Sequence, residues 1–390
     1  MPQFTCRIPP AKPHAAQPVV PQLKSQLAPT EAQHVNAATI PTPALSPAEI
    51  RQAIEDHPKT RARDLAQSLN LPEAALLAAR LGHGVRGLAA HPDKLVPLFA
   101  DLGEVMALTR NDHVVHEKVG TYGGYRSGAR ASMVLPPHLD LRFFPAHWVH
   151  AYAVETEKPD GGIMRSIQIF DAAGDAVHKV YLRDGSNLDA WARLITVLAD
   201  DTAPQSPDFE ARPAVEAPKS DLTKLEDLRR EWAALRDTHH FPGMISKLGM
   251  NRLGAHRIVG APFARPLKAE GLNEALLGFA EAQVPIMIFV GNRGCIQIHS
   301  GPITQLKTMG PWQNVLDPDF NLHLRLDHVA EVWLIEKPTA RGPAVSIEAF
   351  DAAGDLILQV FRLHKEDGPD HSAAFLEITR NLPLSEEISA

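Results

Sequence analysis

The sequence has very few cysteines and no apolar run long enough to cross a membrane. Cys6 and Cys295 are its only two cysteines among 390 residues, and neither stands in a metal-ligand spacing. This excludes a disulfide framework and gives no support to a zinc site. No stretch approaches the ~18 apolar residues of a membrane span, and residues 1–10 lack the apolar core of a secretion signal. The sequence therefore predicts a soluble protein of the reducing cytoplasm.

The sequence also lacks an excess of positive charge. Its 46 Asp and Glu residues outnumber its 39 Lys and Arg residues, so the formal net charge is −7. An acidic chain is poorly suited to indiscriminate binding of nucleic acid, whose phosphates attract basic surfaces. We therefore expect no general nucleic-acid partner.

A long internal repeat is present instead. The hexapeptide Phe-Asp-Ala-Ala-Gly-Asp stands at residues 170–175 and again at residues 350–355, an offset of 180 residues. Met106 and Met287 keep nearly the same interval. A period of this length indicates a duplicated domain rather than a solenoid unit. Two domains of roughly 150 to 170 residues also fit the usual size of a single hydrophobic core.

Composition divides the chain into four segments. Residues 1–45 are crowded with Pro, Ala, Gln and Thr, which predicts a disordered extension. The first repeat is expected at residues 46–199 and the second at residues 223–380. Residues 200–222, rich in proline and charge, predict a linker between them.

Helix signals mark the start of the first repeat. Ser46 followed by Pro47 and Glu49 is typical of a capping box at a helix N-terminus. Two further helices are expected, separated by a break around Leu71 and Pro72. The second repeat is expected to begin with helices in the same way.

Strand signals follow the helices. Alternation of apolar and polar residues at 148–155 and 166–170 is typical of half-buried antiparallel strands. Gly174 and Gly354 in the repeated hexapeptides are expected to take positive φ in tight turns between strands. The sequence therefore predicts an α+β fold with antiparallel sheet in each half.

The segment Asp237-Thr238-His239-His240-Phe241 places two imidazoles beside an aromatic ring. Imidazole nitrogen is a common ligand of iron and other transition metals. The alternative is a helix N-cap at Asp237 or Thr238 with two solvent-facing histidines, which is the commoner outcome for such a pattern. The residues alone leave both interpretations open.

Several longer motifs carry a resemblance to a known family. In the second half they are Trp-Ala-Ala-Leu-Arg-Asp-Thr-His-His-Phe at 232–241, Gly-Asn-Arg-Gly-Cys-Ile-Gln-Ile-His at 291–299, Met-Gly-Pro-Trp-Gln-Asn-Val-Leu-Asp at 309–317 and Asn-Leu-His-Leu-Arg at 321–325. In the first half they are Leu-Thr-Arg-Asn at 108–111 and Val-His-Glu-Lys at 115–118. Over residues 48–365 the chain resembles the haemin-degrading and haemin-trafficking proteins of the HemS/ChuS family, which includes HmuS and PhuS.

The resemblance implies a cytoplasmic protein of two α+β halves, each a large antiparallel sheet with flanking helices, and one b-type haem in a cleft between them. It assigns the axial iron ligand to His239 and the alternate ligand to His240. It assigns the opposite haem face to Arg110, which is the catalytic residue if the protein is an enzyme. The second repeat has Gly291 at the position equivalent to Arg110, so one haem site is expected.

Four more residues are implied at the haem pocket. Haem is an apolar disc with two carboxylates, so its pocket needs apolar walls and cations at the rim. The resemblance assigns the cations to Arg252 and Lys337, a supporting ring to Phe241 and a lining position to Gln359. From the residues alone, both cations are also typical of solvated surface charges.

Two positions depart from the family's pattern on the last strand. Leu358 stands where the family often has tyrosine, and His364 stands where it has arginine. A phenolic donor and a permanent cation are therefore absent, and we expect haem contacts at these positions to differ from those of the family.

Two functions of different classes follow from the resemblance. In the first, the protein takes haem from an inner-membrane importer and passes it to a haem oxygenase. In the second, it is a haem-degrading monooxygenase supplied by a separate electron-donor reductase, because the sequence holds no flavin or nicotinamide motif. A haem-responsive DNA-binding regulator is a remote third alternative, since no basic recognition helix is present. The sequence does not separate the first two functions.

Overall fold

A computed structural model describes residues 45–158, 160–363 and 370–386. Most of the predicted N-terminal extension, residues 1–44, lies outside the described residues, as does His364. Within the described ranges, no helix combines the length and apolar character that crossing a bilayer requires.

The first half begins with helices and continues with strands. Its helices are α1 (Pro47–Asp56), α2 (Ala62–Ser68), α3 (Glu73–Ala78), α4 (Pro92–Phe99) and α5 (Leu188–Leu198). Its strands are β1 (Val85–Leu88), β2 (Val105–Arg110), β3 (Val114–Gly120), β4 (Ser132–Val134), β5 (Asp140–Phe143), β6 (His150–Glu157), β7 (Ile163–Phe170) and β8 (Ala176–Leu182). Short 3-10 turns lie at Ala100–Leu102 and Pro145–His147.

The second half repeats this order. Its helices are α6 (Leu225–Ala233), α7 (Phe241–Lys247), α8 (Arg252–Val259), α9 (Gly271–Glu281) and α10 (Ser372–Arg380). Its strands are β9 (Ala264–Leu267), β10 (Ile286–Gly291), β11 (Cys295–Gly301), β12 (Leu306–Met309), β13 (Trp312–Asp317), β14 (Phe320–Arg325), β15 (Glu331–Lys337), β16 (Ala344–Phe350) and β17 (Leu356–Arg362). Three 3-10 turns lie at Leu222–Lys224, Thr238–His240 and Leu326–His328.

The predicted local signals are confirmed. Ser46 Oγ accepts a hydrogen bond from the Glu49 backbone, and Glu49 Oε2 accepts one from the Ser46 backbone at 2.7 Å, which completes the capping box of α1. The break at Leu71 and Pro72 separates α2 from α3. Gly174 has a φ of 78° and Gly354 a φ of 92°, and each lies in a tight turn between two strands.

The strands form two large antiparallel sheets with flanking helices, as expected. One sheet has nine strands in the order β1-β6-β7-β8-β2-β3-β14-β13-β12. The other has eight strands in the order β4-β5-β11-β10-β17-β16-β15-β9. The six strands β1, β6, β7, β8, β2 and β3 of the first sheet match β9, β15, β16, β17, β10 and β11 of the second.

Each sheet is completed by strands of the opposite half, a feature that the sequence analysis does not predict. Strand β14 pairs with β3, so that Asn321 lies opposite Glu117. Strand β5 pairs with β11, so that Ile298 lies opposite Asp140. Because each half donates strands to the other, residues 45 onward form one compact unit rather than two.

Asn111 joins the first half to the second at the end of β2. Its Nδ2 donates hydrogen bonds to the carbonyl oxygens of Gly291, at 3.2 Å, and Ile357, at 2.8 Å. Its Oδ1 accepts from the backbone of His113 and Val114, which closes the turn between β2 and β3. One amide therefore shapes a local turn and satisfies two carbonyls of the other half.

Asn292 makes the reciprocal contact at the end of β10. Its Nδ2 donates to the carbonyl oxygens of Arg110, at 2.9 Å, and Val177, at 2.8 Å. Its Oδ1 accepts from the backbone of Gly294 and Cys295. We call Asn111 and Asn292 the asparagine pair. It relates the two halves by an approximate twofold symmetry.

The predicted linker packs against both repeats. No helix or strand lies between Leu198 and Leu222, all of which the structure describes. A Cβ at Gly174 would come within 2.9 Å of the Phe209 ring, and one at Gly354 within 3.0 Å of Pro218. The segment thus covers the equivalent turn of each half. The exact domain boundaries stay predictions.

Helices cover a part of all four sheet faces. In the first half, α4 and α5 cover one face of the nine-stranded sheet. Helix α3 packs on the face opposite α4 and α5, where Ala74 and Leu77 cluster with Tyr152 and Val154.

One face of the second sheet packs on α9 and α10, where the rings of Phe279 and Phe375 stack 4.8 Å apart. Part of its other face, around Trp333 and Phe350, packs on α6, α7 and α8. The part of this second face that α6, α7 and α8 leave uncovered lies beside the candidate site.

Four histidines are buried within this framework. His178 bonds Thr109 through Nδ1 at 2.9 Å, whereas both ring nitrogens of His116 have no partner among the described residues. Burial lowers the pKa of His178 and of His256 to about 3 and that of His299 to about 4, and it lowers the pKa of His116 well below its usual value. All four are therefore neutral in the folded protein near neutral pH.

These histidines make the folded state sensitive to acid. Their folded pKa values lie below the usual 6.5, so the unfolded chain binds more protons once the pH falls below that value. Each histidine should lower the free energy of unfolding by roughly 1 kcal/mol per pH unit below about pH 6.5. In urea denaturation between about pH 5 and pH 7, His116→Leu should reduce the dependence of the unfolding free energy on pH by that amount. Val114→Ala on the same strand should lower stability equally at all these pH values. An unchanged dependence of the unfolding free energy on pH in His116→Leu would contradict the conclusion that His116 is neutral in the folded protein.

The asparagine pair should contribute more to stability than an asparagine that acts only locally. Asn111→Asp and Asn292→Asp keep the acceptor for the turn but remove the donor to the other half, so each should cost about 3 kcal/mol. Asn187 is the control, because its Oδ1 caps α5 without donating to another half. Asn187→Asp should change stability by less than about 0.5 kcal/mol, since aspartate caps helices equally well. Urea denaturation measures all three, and similar losses would show that the donors contribute nothing.

Candidate functional site

His239 is oriented by the residue that begins its own turn. Asp237 Oδ1 accepts a hydrogen bond from the His239 backbone at 2.8 Å and from His239 Nδ1 at 2.7 Å. Because a carboxylate only accepts, Nδ1 carries the proton and Nε2 keeps its lone pair in the neutral ring. The side chain is 87% exposed. The turn therefore presents an oriented imidazole whose free nitrogen suits metal binding.

The N-cap interpretation is confirmed in this turn, and the ligand interpretation stays a prediction. Asp237 is the cap of the 3-10 turn Thr238–His240, as the commoner interpretation predicts. The His239 backbone N–H and then its ring lower the pKa of the Asp237 carboxyl, so this group stays ionised. His240 is exposed as well. Two imidazoles therefore stand in solvent at consecutive positions.

Phe241 anchors the chain immediately after the two histidines. It begins α7, and it is 1% exposed. Its ring packs edge-on against Trp232, with ring centroids 4.7 Å apart. The chain thus passes in one residue from an exposed histidine to a fully buried ring.

Arg252 and Lys337 both bind a buried carboxylate, Glu348 on β16. Lys337 Nζ lies 2.7 Å from Oε1, and Arg252 Nη1 lies 2.9 Å from Oε2. Burial raises the pKa of the Glu348 carboxyl, but Lys337 and Arg252 outweigh burial and hold that pKa well below its usual value. Lys337 is 3% exposed and is therefore not a solvated charge. The side chain of Arg252 keeps 27% of its surface exposed.

Gln359 lies on the same face of the sheet as this cluster. It pairs directly with Glu348 on β16 and with Phe289 on β10, and directly paired residues share a face. Phe289 and Phe361 pack edge-on at 4.9 Å and are both half-buried. Where the helices do not cover it, this face of the sheet presents a partly exposed apolar wall formed by Phe289 and Phe361.

Leu358 points away from that wall. It is 1% exposed and belongs to the core beneath α9 and α10. Neighbouring residues on a strand face opposite sides of a sheet, so Leu358 and Gln359 diverge. The replacement of tyrosine by leucine therefore leaves the wall around Gln359 unaltered.

Arg110 is paired within its own half. Its guanidinium bonds the carboxylate of Glu73 at the start of α3, and Lys179 bonds the same carboxylate at 2.5 Å. Burial raises the pKa of Glu73, but Lys179 and then Arg110 outweigh burial and lower it to about 2. The backbone of Arg110 lies at the contact with the second half, because its carbonyl accepts from Asn292. Arg110 therefore lies at the contact between the two halves and shares the Glu73 carboxylate with Lys179.

The expected site residues therefore fall into two clusters. Arg252, Lys337 and Phe241 meet around Glu348, with Gln359 next to that carboxylate. Arg110 instead belongs to a second cluster with Glu73 and Lys179.

Sequence reasoning missed the residues at the centre of each cluster. Glu73, Lys179 and Glu348 are charged residues that are each at most 8% exposed. A direct comparison of the repeats carries the signal, since Glu348 matches Gln168 and Lys179 matches Gln359 at the offset of 180 residues. A charge present in only one copy of a core position indicates a paired site that has diverged.

A comparison with protein families identifies the chain. The profile of the Haemin-degrading HemS.ChuX domain matches twice, at residues 70–198 and 249–382. The chain belongs to the HemS/ChuX family. The two matches correspond to the two repeats.

Relatives of known name agree with this family. The Hemin transport protein HmuS of Yersinia pestis is 36% identical over 335 residues, which span 84% of this chain and 95% of HmuS. The Hemin transport protein HemS of Yersinia enterocolitica is 35% identical over 331 residues, which span 84% of this chain and 95% of HemS.

Solved structures share the whole fold. Holo-PhuS, a heme-binding protein from Pseudomonas aeruginosa, superposes with a TM-score of 0.82 at 38% identity and covers 87% of this chain and 100% of its own. ChuS, described as an E. coli heme oxygenase, superposes with a TM-score of 0.76 at 30% identity and covers 85% of this chain and 98% of its own. This HemS/ChuX protein thus resembles both a haem-binding protein and a haem oxygenase.

The cluster around Glu73 should tolerate loss of the arginine better than loss of the carboxylate. Glu73→Gln leaves Lys179 buried without its counter-ion and should cost about 3 kcal/mol. Arg110→Gln leaves the Glu73–Lys179 pair intact and should cost about 1 kcal/mol. Arg165→Gln, which breaks the ion pair with the exposed Glu155, should cost less than about 0.5 kcal/mol. Urea denaturation of the three variants tests this order, and a larger loss in Arg110→Gln than in Glu73→Gln would reverse it.

Proposed function

We propose that this protein binds haem through Nε2 of His239 and passes it to another protein. The Asp237–His239 pair carries this proposal. A carboxylate that accepts from one ring nitrogen fixes the tautomer and makes the other nitrogen a better metal ligand. The ring is exposed and stands in a single turn, so a large planar ligand can approach it.

The neighbouring residues fit the chemistry of haem. Phe289 and Phe361 supply a partly exposed apolar wall for the disc. Arg252 bonds Glu348 through Nη1 at 2.9 Å, and a guanidinium has further donors that remain for a propionate. Lys337 is buried against Glu348 and, unlike Arg252, does not reach solvent. Of the two expected rim cations, we therefore assign a propionate contact to Arg252 only.

His240 supports transfer rather than permanent retention. It is exposed and directly follows His239, so it can take over the iron when the first imidazole leaves. An alternate ligand beside the first lowers the barrier to release, because the metal need not lose all protein ligands at once. The names of the relatives HmuS and HemS, both hemin transport proteins, agree with a carrier. We propose that this chain works in the cytoplasm between an inner-membrane haem importer and a haem oxygenase.

Degradation of haem is the second candidate. The asparagine pair brings Arg110 of the first half to the end of β10 in the second, and ChuS is described as a heme oxygenase. When bound, haem would supply the iron chemistry, and Arg110 would supply a cation on the opposite face. A separate reductase would have to provide electrons. The Arg110 guanidinium is already bonded to the Glu73 carboxylate, which favours the carrier.

The ligand assignment is tested by haem titration followed at the Soret band. His239→Ala should weaken haem binding strongly, and the double change with His240→Ala should weaken it further. Asp237→Ala removes the acceptor that orients the ring and should weaken binding by about tenfold. His83→Ala, an exposed histidine far along the chain, is the control. Unchanged affinity in the double variant would overturn the assignment.

The choice between carrier and enzyme is tested by an absorption time course. The protein with one equivalent of haem is given ascorbate or a reductase, with catalase present to remove peroxide. We expect a stable spectrum, followed by transfer of haem to an added haem oxygenase. Loss of the Soret band with a defined tetrapyrrole product would establish the enzyme instead, and Arg110→Ala should then lose turnover while retaining haem.

A further inference from the structure

The turn that carries His239 has few contacts of its own. Its internal hydrogen bonds run from the His240 backbone to the Asp237 carbonyl and from the Phe241 backbone to the Thr238 carbonyl. These bonds shape the turn but do not fix it on the protein. Before the turn, the Ala340 backbone donates a hydrogen bond to the Arg236 carbonyl at 3.0 Å. The position of His239 relative to the sheet therefore depends on this contact and on the buried residue that follows the turn, Phe241.

Two cations, Lys337 and Arg252, lie over the ring of Phe241. Lys337 Nζ lies 4.7 Å and the Arg252 guanidinium carbon 5.4 Å from the ring centroid. A cation over an aromatic face is attracted by the ring quadrupole, and the attraction is stronger where water is excluded. Since Trp232 packs on the same ring, Phe241 is enclosed by an indole and two charges.

Glu348 fixes both cations. It is fully buried, and each carboxylate oxygen binds a different partner, with Oε1 accepting from Lys337 and Oε2 from Arg252. Ser346 Oγ donates a further bond to Oε1 at 3.2 Å. A buried lysine without its counter-ion would lose its charge or move toward water. The arrangement of both cations over Phe241 therefore depends on this one carboxylate.

We propose that Glu348 is a positioning residue for the iron ligand, acting through Lys337, Arg252 and Phe241 to fix the His239 turn against the second sheet. Lys337 is then a support for Phe241 and not a contact of haem. The meaning of this inference for haem rests on the proposed function. Its geometry does not, since every contact is present within the chain itself.

The first repeat supplies a contrast that supports the inference. Gln168 stands at the position equivalent to Glu348, and Lys59, Thr60 and Arg61 directly precede α2 where Thr238, His239 and His240 directly precede α7. The buried carboxylate at this sheet position therefore occurs in the half that carries the ligand.

Glu348→Gln in the full-length chain tests the proposal. Glutamine keeps the shape and removes the charge that holds the two cations. In the haem-free protein, the backbone amide resonances of residues 238–241 should shift and broaden as the turn loosens. Haem affinity should fall by about tenfold or more, although His239, Arg252 and Lys337 are all retained. The Soret band should also broaden, because His239 and His240 would then share the iron.

A direct role of both cations at the haem propionates predicts the opposite result. Release from Glu348 would then leave Arg252 and Lys337 free to bind the propionates, so haem affinity would stay the same or rise. Unmoved amide resonances at residues 238–241 together with unchanged affinity would overturn the positioning role. Glu348→Asp keeps the charge and should restore a large part of the affinity that Glu348→Gln loses.

Two controls separate position from general stability. Glu73→Gln removes an equivalent buried carboxylate that binds Lys179 and Arg110, so it should lower stability similarly without moving the resonances of residues 238–241. Phe241→Leu leaves all charges in place and removes the ring that the cations contact. It should loosen the turn even if Glu348→Gln does not fold, and a rigid turn in this variant would overturn the proposed path.

The outcomes distinguish this inference from the proposed function. If the unaltered protein binds no haem, the proposed function fails, yet the amide resonances of the haem-free protein still decide whether Glu348 positions the turn. If the unaltered protein binds haem and Glu348→Gln changes neither the turn nor the affinity, the inference about Glu348 fails alone.

Discussion

The exchange of strands between the two halves, closed by Asn111 and Asn292, is the constraint on which the rest of the structure depends. Each sheet needs strands from the opposite half to reach its full width, so neither half is complete alone. The two amides satisfy carbonyls that the crossing would otherwise leave unpaired, and buried unpaired carbonyls are costly. The same crossing brings Arg110 of the first half to the end of a strand in the second. The contacts between the two halves are therefore a consequence of how the sheets are built.

Divergence of the repeats has produced two buried ion clusters with different arrangements. In the first half, a helix supplies the carboxylate of Glu73 and a strand supplies Lys179. In the second, a strand supplies the carboxylate of Glu348 and a helix supplies Arg252. Buried charges persist only when they are paired. Each charged residue on the sheet therefore requires an oppositely charged neighbour. The cluster of the second half lies beside the chain segment with two exposed imidazoles, and that of the first half holds the guanidinium of Arg110.

The candidate site combines a buried base with an exposed histidine. Phe241 and its surrounding charges belong to the core, whereas His239, two residues earlier, is almost entirely in solvent. Such an arrangement suits a carrier, because the imidazole is held in orientation by Asp237 but is not enclosed. An enzyme that protects reactive intermediates would need more exclusion of water around the iron. The balance of exposure and anchoring is thus the physical reason to favour transfer over degradation.

The sequence by itself determined the duplication, the α+β class, the capping box at Ser46 and the glycine turns, because these follow from periodicity and from local backbone chemistry. It also identified the segment containing His239 through its resemblance to the family. Only the tertiary structure decided that the halves exchange strands, that Arg252 and Lys337 share Glu348, and that Leu358 faces away from Gln359. Pairings between neighbouring strands and between a helix and a sheet depend on strand register and sheet order, and a local pattern carries neither. The role of the central carboxylates therefore became clear only when the fold placed cations around them.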